Sequence, residues 1–129
     1  MQLTYDQALA LSKEEFANQA DTLTPCYGYT LGYLDKNGSL HGPQFDSGQD
    51  SNVTVLMADS PPADPLSGKN SPNHGGKGQN VLFLNGTVKF VPDRAKSFKG
   101  DDLYLNKNQK VSAGLDWEDN VVGGSRARP

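Results

Sequence analysis

The residues best placed to do chemistry are Asp59 and His74. Asp59 closes the apolar run 53–58, and His74 stands ahead of a second run, 81–84. If the two runs lie side by side as strands, the carboxylate and the imidazole approach each other. An Asp–His pair can orient a base or hold a metal. Zinc takes about three or four protein ligands. His41 is the candidate third ligand, and nothing in the spacing brings it near. The other reading makes His74 a structural pin, hydrogen-bonded to backbone in an irregular loop, and this is the reading we favour. Asp46, Asp50, Asp101 and Asp102 sit in loops that offer oxygen ligands, but calcium needs about six or more oxygens converging on it. Asp35-Lys36-Asn37-Gly38 lacks the further acids and the closing Glu of a calcium loop and reads as a turn. Gly76-Lys77-Gly78 has no Ser or Thr after the lysine and leads into a strand, unlike a phosphate-binding loop. There is no Gly-x-Ser-x-Gly elbow, and Cys26 follows Pro25 with no adjacent base. A nucleophilic hydrolase therefore has no support.

The elements that must position these residues can be read from hydrophobic patterning. Asn85-Gly86 between two apolar runs predicts a β-hairpin with a two-residue type I′ turn, which needs φ > 0 at both central positions. That turn pairs Leu84 with Thr87, Phe83 with Val88, Leu82 with Lys89 and Val81 with Phe90. Val81, Phe83, Val88 and Phe90 then share a core face, and the hairpin is expected at the centre of the domain. Residues 27–34 predict a strand with Tyr27, Tyr29, Leu31 and Tyr33 on one face, returning through a turn at 35–38 to Ser39-Leu40-His41. The run 53–58 predicts a buried strand.

Upstream, Thr4-Tyr5-Asp6-Gln7 matches a capping box. Tyr5, Ala8, Leu9, Ser12, Phe16 and Ala20 then share one face of a helix expected over 5–20. Residues 60–72 hold four prolines and predict an irregular surface loop. Residues 92–100 read as a polar connection anchored by Phe98. Residues 103–106 and 111–113 predict a third hairpin around 107–110, in which Gln109 or Asn108 takes any positive φ. Trp117 is expected at the edge of the core. The resulting expectation is one α+β domain over 1–129, with an N-terminal helix packed on an antiparallel sheet of β-hairpins. Within it, 1–24 would be helix and linker, 25–117 sheet and loops, and 118–129 a frayed tail.

The stretch from His74 to Val88 resembles the C-terminal motif of bacterial prepilin-type (type II/IV pilin-like) proteins, which is a His, nine residues, then Asp-Gly. That motif reads approximately Asn-His-Gly-Gly, a short spacer, Asn-Val-Leu-Phe, any residue, Asp-Gly-His-Val. Asn73-His74-Gly75-Gly76, Asn80-Val81-Leu82-Phe83 and Asn85-Gly86 follow the same order here. Ten residues, not nine, separate His74 from Asn85. Asn85 replaces the Asp, and Thr87 replaces the second His. Asn-Gly turns as well as Asp-Gly, but no role that needs a carboxylate at 85 carries over. The resemblance implies an exported, pilin-like domain without catalytic activity, placed in the cell envelope or outside the cell. It would associate with itself or with other pilin-like subunits. Such proteins begin with an apolar segment, and no such segment precedes Tyr5. The chain is therefore expected to be a soluble piece of a longer protein or a divergent relative, with membrane contact only through a segment it lacks.

The totals restrict the function classes. A formal net charge of −3 and the absence of a basic stripe argue against nucleic acid as the partner. Arg126 and Arg128 read as a solvated tail. A single cysteine, Cys26, forbids an intrachain disulfide and reads as a small buried hydrophobe. The expected function is a non-catalytic surface structural subunit. One alternative is a module that binds metal, carbohydrate or protein through loop 70–79 and the tyrosine-rich strand. The other is a hydrolase assisted by a divalent metal, calcium or zinc, at Asp59 and His74.

Overall fold

The computed structural model describes residues 10, 12, 27–44, 49–95, 100–124 and 127–129. Among these residues seven strands run in chain order: β1 (Tyr27–Thr30), β2 (Tyr33–Leu34), β3 (Leu40–His41), β4 (Val55–Asp59), β5 (Gln79–Phe83), β6 (Val88–Val91) and β7 (Val122–Gly123). Five of them form one antiparallel sheet in the order β6-β5-β4-β1-β7, and β2 and β3 form a separate two-stranded sheet. Among the described residues there is no α-helix, only two short 3₁₀ turns, Pro65–Ser67 and Asn73–Gly76. The expected α+β arrangement, an N-terminal helix packed on a sheet, is therefore corrected to a mainly β architecture. The segment expected to supply the helix, 5–20, lies almost wholly outside the described residues, as do Cys26, Asp46, Phe98 and Arg126.

The apolar run read as a buried strand becomes β4, the central strand of the sheet. Val55 and Ala58 are buried, and Asp59 is its last residue. The Asn-Gly hairpin is β5–β6, and it forms one edge of the sheet, not its centre. Its register also differs from expectation by one residue. Leu82 pairs with Val88, Val81 with Lys89 and Asn80 with Phe90. The cause lies in the turn. Gly86 N–H donates to Phe83 C=O (2.9 Å), and Phe83 N–H donates to Thr87 C=O (2.9 Å). Only Gly86 has positive φ, +86°. This is a three-residue loop, a β-turn followed by a left-handed glycine in a G1 bulge, in place of a two-residue type I′ turn.

One residue of slip reverses every side chain of β6. Val81 and Phe83 are fully buried as expected, whereas Val88 and Phe90 are exposed on the opposite face. Lys89 takes the place expected for Phe90, its Nζ lying 5.5 Å from the Phe83 ring centre.

The core gathers Val55, Ala58, Val81, Phe83 and Val91 from the sheet with Leu103, Tyr104 and Val122. Leu103 and Tyr104 were expected in a third hairpin, but 103–113 forms no strand ladder. Asn106 closes that turn instead, accepting from the N–H groups of Asn108 and Lys110 (both 3.0 Å), while Gln109 itself takes φ +58°. The expected tail from 118 includes β7, which pairs with β1, and Val121 and Val122 are fully buried. β1 and β7 approach so closely that a Cβ on Gly28 would lie 2.6 Å from the Gly123 carbonyl oxygen, so only glycine fits there.

Arg94 anchors the connection after β6. It is fully buried, with Nε donating to Asp102 Oδ1 (3.0 Å), Nη1 to Lys69 C=O (2.8 Å) and Nη2 to Pro65 C=O (2.6 Å). Its guanidinium lies over the Tyr104 ring at 5.1 Å. The proline-rich loop is thus irregular, as expected, yet fastened to the core.

Two outcomes follow. Gly86→Val forces a β-branched side chain into left-handed backbone and is expected to destabilise by about 1–3 kcal/mol in urea denaturation, with no steric clash contributing. Arg94→Ala strands the Asp102 carboxylate and two backbone carbonyls and is expected to cost about 3–5 kcal/mol in the same measurement.

Candidate functional site

β4 and β5 are neighbours, so the end of β4 lies beside the start of β5, and Asp59 meets His74 there. His74 Nε2 is 3.1 Å from Asp59 Oδ2. Asp59 is buried and His74 about half exposed. Both carboxylate oxygens are engaged. Asp59 Oδ2 accepts from the Asn80 backbone N–H (2.7 Å), and Oδ1 accepts from Asn73 Nδ2 (3.2 Å). The Asp59 carbonyl accepts from the Tyr104 hydroxyl (2.9 Å), and burial pushes that phenol above its ordinary range. Asn80 Nδ2 lies 3.1 Å from His74 Nε2. A protonated Nε2 donates to Asp59, and an unprotonated one accepts from Asn80, so either tautomer has a partner.

His74 holds an unusual backbone, φ 55° and ψ 31°, in the 3₁₀ turn Asn73–Gly76. Left-handed backbone costs a non-glycine residue about 1–2 kcal/mol, so the surrounding contacts must impose it. Part of that constraint comes from the loop behind it. Asn70 Nδ2 donates to the Gly76 and Pro92 carbonyls (3.1 and 2.9 Å). Asn70 Oδ1 accepts from Arg94 N–H (3.2 Å) and Gln79 Nε2 (3.3 Å). Gln79, fully buried, also donates to the Val91 carbonyl (2.8 Å) and accepts from Ser71 N–H (3.0 Å). The polar atoms of loop 70–79 that make these bonds face inward, into the chain.

The other residues singled out in the sequence lie elsewhere. Asn85 and Gly86 are at the far end of β5 from His74. There Asn85 accepts from Thr87 N–H (3.0 Å) and donates to Asn52 Oδ1 (2.8 Å). His41 does not join Asp59 and His74. On β3 it pairs with Asp35 at 2.8 Å and stacks on Tyr33, and its hydrogen bond holds the Asp35 carboxyl below the usual range. Asp50 closes a turn through Asn52 N–H (3.0 Å), and Asp102 is engaged by Arg94. No group of three or more His, Cys, Asp or Glu side chains converges on a metal position among the described residues.

Sequence reasoning singled out Asn80 as a motif residue but missed the roles of Gln79 and Arg94. Asn80 had a signal, since it follows β5 numbering onto the same face as Asp59. The long-range bonds of Gln79 and Arg94 had none.

The same sheet face carries a second feature. The ladder lines up Tyr29, Met57, Leu82 and Val88 across four strands. Tyr27 pairs with Asp59, and Asn80 with Phe90, in the adjoining row. Tyr27, Tyr29, Val88 and Phe90 are 51%, 57%, 63% and 52% exposed, far too much for core residues. Tyr27, Met57, Ala58, Leu82 and Val88 line a shallow apolar cleft of about 190 Å³, with Asp59 and Asn80 at one end. His74 stands at the rim, edge-on to Phe90 with ring centres 6.1 Å apart.

No family model, curated protein or solved structure matches this chain.

The geometry makes Asp59 the centre of the cluster and His74 its outer member. Asp59→Ala is expected to cost about 2–3 kcal/mol in urea denaturation, because the Asn80 N–H and Asn73 amide lose a charged acceptor. His74→Ala removes a half-exposed pair and is expected to cost about 1 kcal/mol or less in the same assay.

Proposed function

We propose that the chain is a non-catalytic surface structural subunit that associates with further copies of itself through the bare face of its main sheet. The observation that carries this reading is the contiguous apolar row Tyr29-Met57-Leu82-Val88, extended by Tyr27 and Phe90. Apolar side chains scattered singly on a surface are ordinary, whereas a contiguous exposed patch marks an interaction site. Tyrosine, phenylalanine and methionine are also the residue types enriched at protein interfaces.

The charge distribution favours a second copy as the occupant. The chain is acidic, with a formal net charge of −3. On this face the carboxylate of Asp59 is buried and paired with His74, and Lys89 points to the other side. Two such faces therefore meet without like charges opposed. β6, a sheet edge, lies along the same face, so edge pairing and face packing can bury one continuous surface.

The polar site beside the face supports a structural role for His74. Both Asp59 oxygens are occupied by the chain's own donors, and the loop residues around His74 bond inward. The resemblance of residues 74–88 to the prepilin-type motif supports placing such a subunit in the cell envelope or outside the cell. No helix among the described residues is long and apolar enough to cross a membrane.

Sedimentation velocity tests the reading. The wild-type chain is expected to sediment as a dimer or larger in the micromolar range. Phe90→Lys and Val88→Lys, at exposed positions, are expected to shift it to monomer with circular dichroism unchanged. A monomeric wild-type chain across that range overturns the proposal.

A further inference from the structure

A second cluster of acids lies away from this face, where the last part of the chain joins the sheet. Asp119 is 1% exposed. Its Oδ2 accepts from the N–H groups of Lys107 (3.0 Å) and Leu115 (2.8 Å). Its Oδ1 is buried and is given no hydrogen-bond donor by the described residues. A bare carboxylate oxygen in a protein interior is costly and needs a proton or a charge to face it. Another carboxyl, Asp101, is placed beside Asp119, since its Oδ2 accepts from the N–H of the adjoining residue, Asn120 (2.9 Å). The two carboxyls act on each other as neighbours.

The other charges at the junction do not supply the missing donor. Lys107 Nζ is bonded to Asp116 Oδ2 (2.5 Å) and is half exposed. Asp116 is thus engaged by Lys107 and is held below the usual carboxylate range, although burial opposes this. Asp102, next in the chain, turns to Arg94. Glu118 is exposed, and its carbonyl accepts from Asn120 Nδ2 (3.4 Å).

We propose that Asp101 and Asp119 share one proton, Asp101 donating to Asp119 Oδ1, and that this carboxyl pair is a pH-sensitive clasp holding the C-terminal segment to the sheet. The clasp sits where three pieces meet. Asp119 joins 107 to 115, and Asp101 holds the Asn120 backbone. The Asn120 side chain accepts from Val55 N–H (3.0 Å) and donates to the Val53 carbonyl (3.3 Å), gripping the start of β4. From there the chain runs directly into β7. Deprotonation places two negative charges side by side at this junction, a repulsion that fully buried or adjoining carboxylates relieve by keeping one proton.

The electrostatics agree. Burial pushes Asp101 up to about 7, the Asn120 N–H opposes this, and the neighbouring Asp119 adds to it. The unfolded carboxyl titrates at its ordinary value, 3.8. Between those two values the folded chain binds the extra proton. The contribution to stability is therefore complete below the ordinary value and is lost as pH rises through about 7.

Asp101→Asn tests this, because an amide donates permanently to Asp119 Oδ1 and still accepts from Asn120. The variant is expected to melt within a degree or two of wild type at pH 5 and about 5–10 °C above it at pH 8. An offset equal at both pH values, or a variant less stable at pH 8, overturns the proposal. A wild-type chain stabilised at pH 8 by millimolar calcium, with the effect lost in Asp101→Asn, also overturns it by assigning the pair to a cation. Should the variant fail to fold, the carboxyl ¹³C titration of Asp101 in the wild-type chain decides. A midpoint between pH 6 and 8 is expected, and one near the ordinary value refutes the shared proton.

Discussion

Arg94 is a fully buried cation, and the loops of this protein are arranged around satisfying it. A guanidinium removed from water is tolerated only when its fork of donors finds acceptors and its charge a counter-ion. Here the acceptors are two backbone carbonyls of the proline-rich loop and the carboxylate of Asp102, with the Tyr104 ring beneath. A loop with few regular backbone bonds of its own thereby gains fixed positions at Pro65 and Lys69. The Arg94 N–H donates to Asn70, Asn70 fixes Gly76, and the turn Asn73–Gly76 sets His74 over Asp59. The left-handed backbone of His74 is the local cost of that closure.

The two faces of the sheet are treated differently as a result. The inner face is closed by Leu103, Tyr104 and the C-terminal segment, whose return to the sheet as β7 depends on Asn120 and its acidic neighbours. Among the described residues, the outer face receives the 70–79 loop at its rim. That cover is polar and self-satisfied, and it stops at Asn80 and Phe90. Beyond it the Tyr29-to-Val88 row lies open. The chemistry-bearing residues and the exposed apolar surface are thus adjacent but distinct. The Asp–His pair stabilises the rim of a face whose exposed area is apolar.

Much of this was legible in the sequence. Strand β4 and the turns at 35–38 and 85–86 are local features, set by apolar runs and turn residues. The approach of Asp59 to His74 follows once β4 and β5 are neighbours, because each residue sits at the strand end that antiparallel pairing brings together. The register of β6 was not legible. Asn-Gly is compatible with a two-residue and a three-residue loop, and a difference of one residue decides which face Val88 and Phe90 occupy. The hydrophobic pattern points to the wrong answer, because it assumes that apolar residues face the core. In this chain two of them form part of the exposed surface.

The sequence by itself determined where the turns at 35–38 and 85–86 fall, the buried strand that becomes β4 and the kinds of side chain near His74, since these depend on neighbours a few residues apart. Tertiary structure alone decided the roles of Arg94, Gln79 and Asp119. The Arg94 side chain reaches acceptors 25 and 29 residues away, Gln79 bonds a carbonyl 12 residues away, and Asp119 receives a backbone N–H 12 residues away. A polar residue in a loop looks the same in sequence whether solvent or the protein interior receives it. What separates the two is desolvation, which exists only once the chain has closed around the group and forced it to find partners.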